Sequence, residues 1–107
     1  MKIKITSLLI ILFVFACGGT KNFSSNEELV LAKKKYILFC AACHGRDGKM
    51  AINGATDLTK SISGLKSRIK TITEGKGLMT SFKGVLSTEE IEAVAKYSIH
   101  LRKESKK

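Results

Sequence analysis

Five consecutive residues, Cys40-Ala41-Ala42-Cys43-His44, constrain this chain more than any other feature. Two thiols three positions apart project from one face of a helix, and an imidazole follows directly. The constraint matters because the chain has little else to fold around. Of its 107 residues 44% are hydrophobic, but twelve of these fall within residues 1–16, including the unbroken run Leu8 to Ala16. The remainder buries only a modest core. A chain of this kind needs a metal, a disulfide or a cofactor to hold it together. It also lacks proline, so its turns depend on glycine, Asn, Asp and Ser. The length excludes a multidomain enzyme.

The N-terminus reads as an address. Met1-Lys2-Ile3-Lys4 is a short basic segment, and the apolar run after it suits a signal peptide and is too short for an ordinary membrane span. Val14-Phe15-Ala16-Cys17-Gly18 resembles a bacterial lipobox, which implies cleavage before Cys17 and lipidation of that residue. The expected organisation is a signal peptide over 1–16, a lipidated tether over 17–26 and one domain over 27–107. A lipid at Cys17 would hold the protein at a membrane, facing the bacterial periplasm, without spanning the bilayer. Loss of Lys2 and Lys4 lowers the formal charge from +10 to +8.

The expected fold class is all-α. Ser25 to Glu28 offers a capping box, and Leu29, Ala32, Tyr36, Phe39 or Cys40, and Cys43 form an apolar stripe at helical spacing. Ser87 to Glu90 offers a second capping box before a helix with Ile91, Val94, Ala95 and Ser98 on one face. A short middle helix is expected over Leu65 to Thr73, carrying Leu65, Ile69 and Ile72. No strand-like alternation and no internal repeat is evident.

Each thiol of Cys40 and Cys43 can add across one vinyl group of a haem, and His44 then supplies the proximal imidazole nitrogen. Export agrees with this chemistry. A structural zinc site is the competing use, but it needs four ligands, and beyond these three the exported chain offers only Cys17 and His100. A redox-active pair belongs at a helix start after a strand, and a disulfide across so short a loop adds little stability.

With these residues in view, the sequence resembles the small monohaem class I cytochromes c over roughly residues 27–102. Tyr36 stands where that family has an aromatic residue, and Ala32 where it has a small residue at the crossing of the first and last helices. Cys43 to Gly48 and Leu86 to Tyr97 match its haem-following loop and its C-terminal helix. The resemblance implies N- and C-terminal helices packed together around one covalently bound haem c. It implies that the backbone carbonyl of Thr56, at a position usually held by proline, accepts the hydrogen bond of the His44 ring. It further implies that Met79, in the segment Gly75 to Phe82, is the sixth iron ligand, with Thr80 in place of the usual proline. Met50 is the rival thioether, and His100 reads as a surface or helix-end residue.

His44/Met79 ligation would fill both axial positions and leave no site for substrate, so the expected function is a membrane-tethered single-electron carrier and not an enzyme. The alternatives are a five-coordinate haem sensor or minor peroxidase with Met79 detached, and a zinc-binding lipoprotein. Lys60, Lys66, Arg68, Lys70, Lys76 and Lys83 flank the distal side and would steer a monomer to acidic redox partners of a respiratory chain or dehydrogenase. The same charges also suit simple solubility or anionic lipid. Nucleic acid is not an expected partner.

Overall fold

The structure, a computed structural model, describes residues 25–107. The expected signal peptide over 1–16, the lipobox-like segment and Cys17 lie outside the described residues. Four helices follow in order: α1 (Ser25–Phe39), α2 (Ala41–His44), α3 (Leu65–Glu74) and α4 (Thr88–Glu104), with a single 3₁₀ turn at Ile52–Gly54 between α2 and α3. Among the described residues there is no strand, only two isolated bridges, Lys76 with Met79 and Lys83 with Leu86. The all-α expectation holds.

α4 is built as its sequence dictates. Ser87 is the N-cap: its hydroxyl accepts from the Glu90 amide at 3.1 Å, and the Glu90 carboxylate accepts from the Ser87 amide at 2.9 Å. Two amides left without partners at the helix start are thereby satisfied. Ile91, Val94, Ala95, Ser98 and Leu101 are buried along one face, with Tyr97 beside them.

α1 departs from the expected pattern in three ways. Ser25 is the first residue of the helix and not its cap; Glu28 instead reaches Lys96 of α4 at 3.4 Å. The buried stripe is Ala32, Tyr36 and Cys40, the last taking the position left open between Phe39 and Cys40, whereas Leu29 and Cys43, expected on the stripe, are exposed. The helix does not run on to Cys43. It stops at Phe39, and Cys40 takes φ −119°, ψ −34° before α2 begins. Both Cys43 and His44 donate to the Cys40 carbonyl, at 3.2 and 2.9 Å, so the chain tightens into a new short turn around the first cysteine.

α1 and α4 pack against each other, and α3 packs on α4. The core joins Ala32, Tyr36 and Cys40 of the first segment with Ile91, Val94, Ala95, Tyr97 and Leu101 of α4, closed by Ile72 of α3 and by Leu86. Ala32 is 3% exposed, a burial that only a small side chain permits between two close backbones. The rings of Tyr36 and Tyr97 meet at a centroid distance of 5.2 Å and an angle of 56°, the tilted arrangement that aromatic quadrupoles favour. No helix among the described residues is long and apolar enough to cross a membrane.

Candidate functional site

The fold gathers residues from all four helices and their loops around one cleft. Tyr36, Cys40 and His44 line it from the N-terminal side, Thr56 and Leu58 from the loop that follows, Arg68 and Ile72 from α3, and Met79, Val94 and Ser98 from the C-terminal half. Four of the sequence-predicted site residues, Cys40, His44, Thr56 and Met79, therefore share one cavity. Cys43 is exposed and is not among the lining residues, Cys40 is buried, and both are unbridged.

The segment around His44 is held tightly. Gly45 adopts φ +78°, which glycine tolerates without strain, and a Cβ there would stand 2.9 Å from the Cβ of Met50. The chain thus turns back at once, and the Met50 amide donates to the His44 carbonyl at 2.9 Å. Below the turn the Tyr36 hydroxyl donates to the Gly45 carbonyl at 2.7 Å, wholly inside the protein. His44 itself is buried, and its Nδ1 lies 2.8 Å from the Thr56 carbonyl oxygen. A carbonyl can only accept, so Nδ1 carries the proton and Nε2 keeps its lone pair for a metal.

The two thiols differ. Burial, with Cys43 nearby as a lesser cause, pushes the Cys40 thiol up to about 11, so it stays protonated at neutral pH. Burial likewise raises Tyr36 above its ordinary value, which keeps its hydroxyl a donor.

Met79 sits at the end of a tight turn. Its amide donates to the Lys76 carbonyl at 2.9 Å, and its carbonyl accepts from the Lys76 amide at 3.2 Å. The turn is tied back to α3, because the Phe82 amide reaches the Ile72 carbonyl at 3.0 Å and the Ser81 hydroxyl reaches the Thr73 carbonyl at 2.6 Å. Phe82 in turn meets Phe39 edge to face, with centroids 6.0 Å apart. Met50 is exposed and does not line the cleft. His100 is half-buried beside Tyr97 on α4, also away from it.

Arg68 corrects the expected basic surface. Lys60, Lys66, Lys70, Lys76 and Lys83 are exposed, but Arg68 turns inward and is 5% exposed. Its Nε donates to the Ser63 carbonyl at 3.0 Å and Nη1 to the Ser98 hydroxyl at 2.9 Å. Nη2 reaches the Ser61 carbonyl at 3.0 Å and the Leu58 carbonyl at 3.4 Å. Charge composition conceals this, but spacing reveals it. Arg68 lies four residues before Ile72 and three after Leu65, on the stripe of α3 that faces the core.

Comparison with known proteins shows the family. Residues 30–97 match the family described as cytochrome C oxidase, cbb3-type, subunit III. The chain is 41% identical over 88 residues to cytochrome c6 of Leptolyngbya boryana, covering 77% of this chain and 87% of that one. It is 32% identical over 100 residues to cytochrome c6 of Porphyra purpurea, covering 88% of this chain and 90% of the relative. The chain belongs to the monohaem c-type cytochromes. It is accordingly a haem c electron carrier and not an enzyme, which sets aside the zinc reading.

The residues present fit that cofactor. A pair of unbridged thiols stands beside an imidazole whose Nε2 is spare, and a thioether lines the same cleft. Hydrophobic walls from Ile72, Val94 and Leu58 would exclude water from a porphyrin.

Proposed function

We propose that Cys40 and Cys43 hold the haem as thioethers, that His44 and Met79 are its two axial ligands, and that the protein carries single electrons between exported partners while tethered by a lipid at Cys17. The observation that carries this reading is the 2.8 Å contact between His44 Nδ1 and the Thr56 carbonyl, in a cleft that Met79 also lines.

When bound, haem supplies a one-electron Fe(III)/Fe(II) couple. The protein's part follows from its own groups. Donation from Nδ1 to Thr56 fixes the tautomer and the ring orientation of His44, and it raises the basicity of Nε2. The Met79 thioether is a weak donor that favours the reduced metal, so this pairing raises the potential above that of two imidazoles. Because the Met79 turn is bonded to itself and to α3, the thioether is presented without ordering a free loop at each electron transfer. The buried walls around His44 keep water from the ligand side. The exposed lysines Lys60, Lys66, Lys70, Lys76 and Lys83 would attract a partner with an acidic surface over roughly one Debye length, about 8 Å at physiological ionic strength.

The test is the visible spectrum of the purified protein, oxidised and reduced, after expression with the c-type haem maturation machinery. The expected result is a sharp low-spin reduced spectrum with the weak far-red band of a methionine sulfur on ferric iron. A haem spectrum without that band would refute Met79 ligation and favour a five-coordinate sensor or peroxidase. Mass analysis of the N-terminal peptide of membrane-extracted protein is expected to find an acylated Cys17; an unmodified residue there would refute the tether.

A further inference from the structure

The outward face of α1 is apolar, unlike those of the helices around it. Every exposed residue of α3 and α4 is polar or charged. α1 instead exposes Val30 at 54%, Leu31 at 46% and Leu38 at 72%. A single exposed apolar residue needs no explanation, but these share a side of the helix. Lys34 lies four residues after Val30 and four before Leu38, so the three project together, with Leu31 at their border. Lys34 is also two residues from each of the buried Ala32 and Tyr36, which places this side opposite the core. α1 thus carries apolar residues on both faces and buries only one of them.

The charges on the open side are mostly of one sign. Lys35 is paired with Glu90, and Glu28 with Lys96. Lys33 and Lys34 are exposed and belong to no ion pair among the described residues. Glu27 is the acid that remains, in the first turn, where a carboxylate offsets the helix dipole. Apolar side chains flanked by free lysines are the parts of a helix that lies in a lipid interface. The apolar groups enter the headgroup boundary, and the lysine stems follow the apolar surface while their ammonium groups stay with the lipid phosphates.

An acidic protein would also attract the lysines, but the place of α1 in the chain favours a bilayer. Eight residues separate Cys17 from Ser25, so an acyl group on Cys17 would keep the start of α1 within roughly 28 Å of the membrane even with the tether fully extended. α1 has 15 residues and is too short to cross a bilayer, so it can only lie along one.

We propose that the side of α1 formed by Val30, Leu31, Lys34 and Leu38 docks on an anionic bilayer surface and thereby orients the tethered protein. The nearness of the bilayer rests on the Cys17 tether proposed above, and the face itself does not. Tyr36 lines the cleft from the opposite side of α1, so this docking turns the cleft away from the lipid and toward soluble partners.

The experiment uses the haem-loaded protein with vesicles of phosphatidylcholine, or of phosphatidylcholine mixed with phosphatidylglycerol. Both contain a phospholipid with a photoreactive diazirine in its acyl chain. After irradiation, mass analysis locates the label. In the anionic vesicles it is expected on the segment Val30 to Leu38 and not on α3 or α4, with several-fold less in the neutral ones. Lys33→Gln combined with Lys34→Gln should lower the label several-fold, and Val30→Ser combined with Leu38→Ser should nearly abolish it. Both pairs are exposed, so the haem spectrum should stay unchanged. An unlabelled α1, or equal label on α3, would overturn the proposal. An unlabelled α1 in a protein that sediments as a dimer would assign the face to a second copy of the chain instead. Equal label in the two kinds of vesicle would overturn the role given to the lysines. The same mass analysis reports acylation of Cys17. Label on α1 without an acyl group sustains the face and refutes only the tether, and an acylated chain with α1 unlabelled refutes the face alone.

Discussion

The Tyr36 hydroxyl of the first helix and the Gly45 carbonyl, one residue past His44, are joined by a buried 2.7 Å hydrogen bond. It ties the turn that carries the imidazole directly to the helix core. Tyr36→Phe keeps the ring and its packing on Tyr97 but leaves a buried carbonyl unpaired. The expected cost is about 1–3 kcal/mol, measured by denaturant unfolding of the haem-loaded protein. An unchanged midpoint would mean that water replaces the hydroxyl.

The turn that presents Met79 depends on one glycine. Gly75 has φ +75°, and a Cβ there would fall 2.6 Å from the Met79 carbonyl and 2.8 Å from the Ser81 amide, both backbone atoms. Gly77 also has positive φ, at +56°, but faces open space. Gly75→Ala is therefore expected to weaken or abolish the far-red methionine band. Gly77→Ala should keep the band and lose about 1 kcal/mol of stability from backbone strain alone. Equal spectra from the two variants would show that the turn gives way elsewhere.

If Met79 is the sixth ligand, Met79→Ala should lower the reduction potential and open the iron to carbon monoxide and to water. Met50→Ala, at an exposed position outside the cleft, should do neither. Potentiometric titration with a carbon monoxide binding assay separates the two, and an unchanged potential in Met79→Ala would count decisively against that ligand.

Acid should act partly through Glu90. The Lys35 ammonium, 2.8 Å away, and the Ser87 amide hold its carboxyl below the ordinary value of 4.5. A depressed pKa contributes stability that is present above the unfolded value and is lost as pH falls through the folded one. The protein should accordingly lose stability as pH drops below about 4.5, and Glu90→Gln should make that acid limb shallower. Unfolding midpoints followed from pH 6 to 3 would check it; an identical limb in the variant would assign the loss to other carboxylates.

Much of this is legible in the amino-acid sequence. The capping box at Ser87 and Glu90, the buried face of the last helix, the middle helix at Leu65 and the cysteine–histidine motif all follow from spacing, because local rules govern them. The pairing of His44 with the Thr56 carbonyl could be expected only from family resemblance, since nothing in the intervening loop signals it. Besides the uncapped start of α1 and its exposed Leu29, two features are not legible in the sequence. The break at Cys40 has no breaker residue to announce it; it shows only in the Cys43 and His44 amides bonding back to the Cys40 carbonyl. The inward turn of Arg68 does not show in charge composition, only in its place on the same face of α3 as Ile72.

The contact between α1 and α4 has one more consequence. The helices nearest the two ends of the described chain share a single core, in which Ala32, Tyr36, Val94 and Ala95 are almost wholly enclosed. The stretch between them, α3 with its flanking loops, carries Thr56, Arg68 and Met79 and contributes only Ile72 and Leu86 to the buried cluster. Segments more than fifty residues apart should therefore behave as one cooperative unit in amide hydrogen exchange. Their slowest protons would exchange together and only through global opening, while the intervening loops exchange by smaller local excursions.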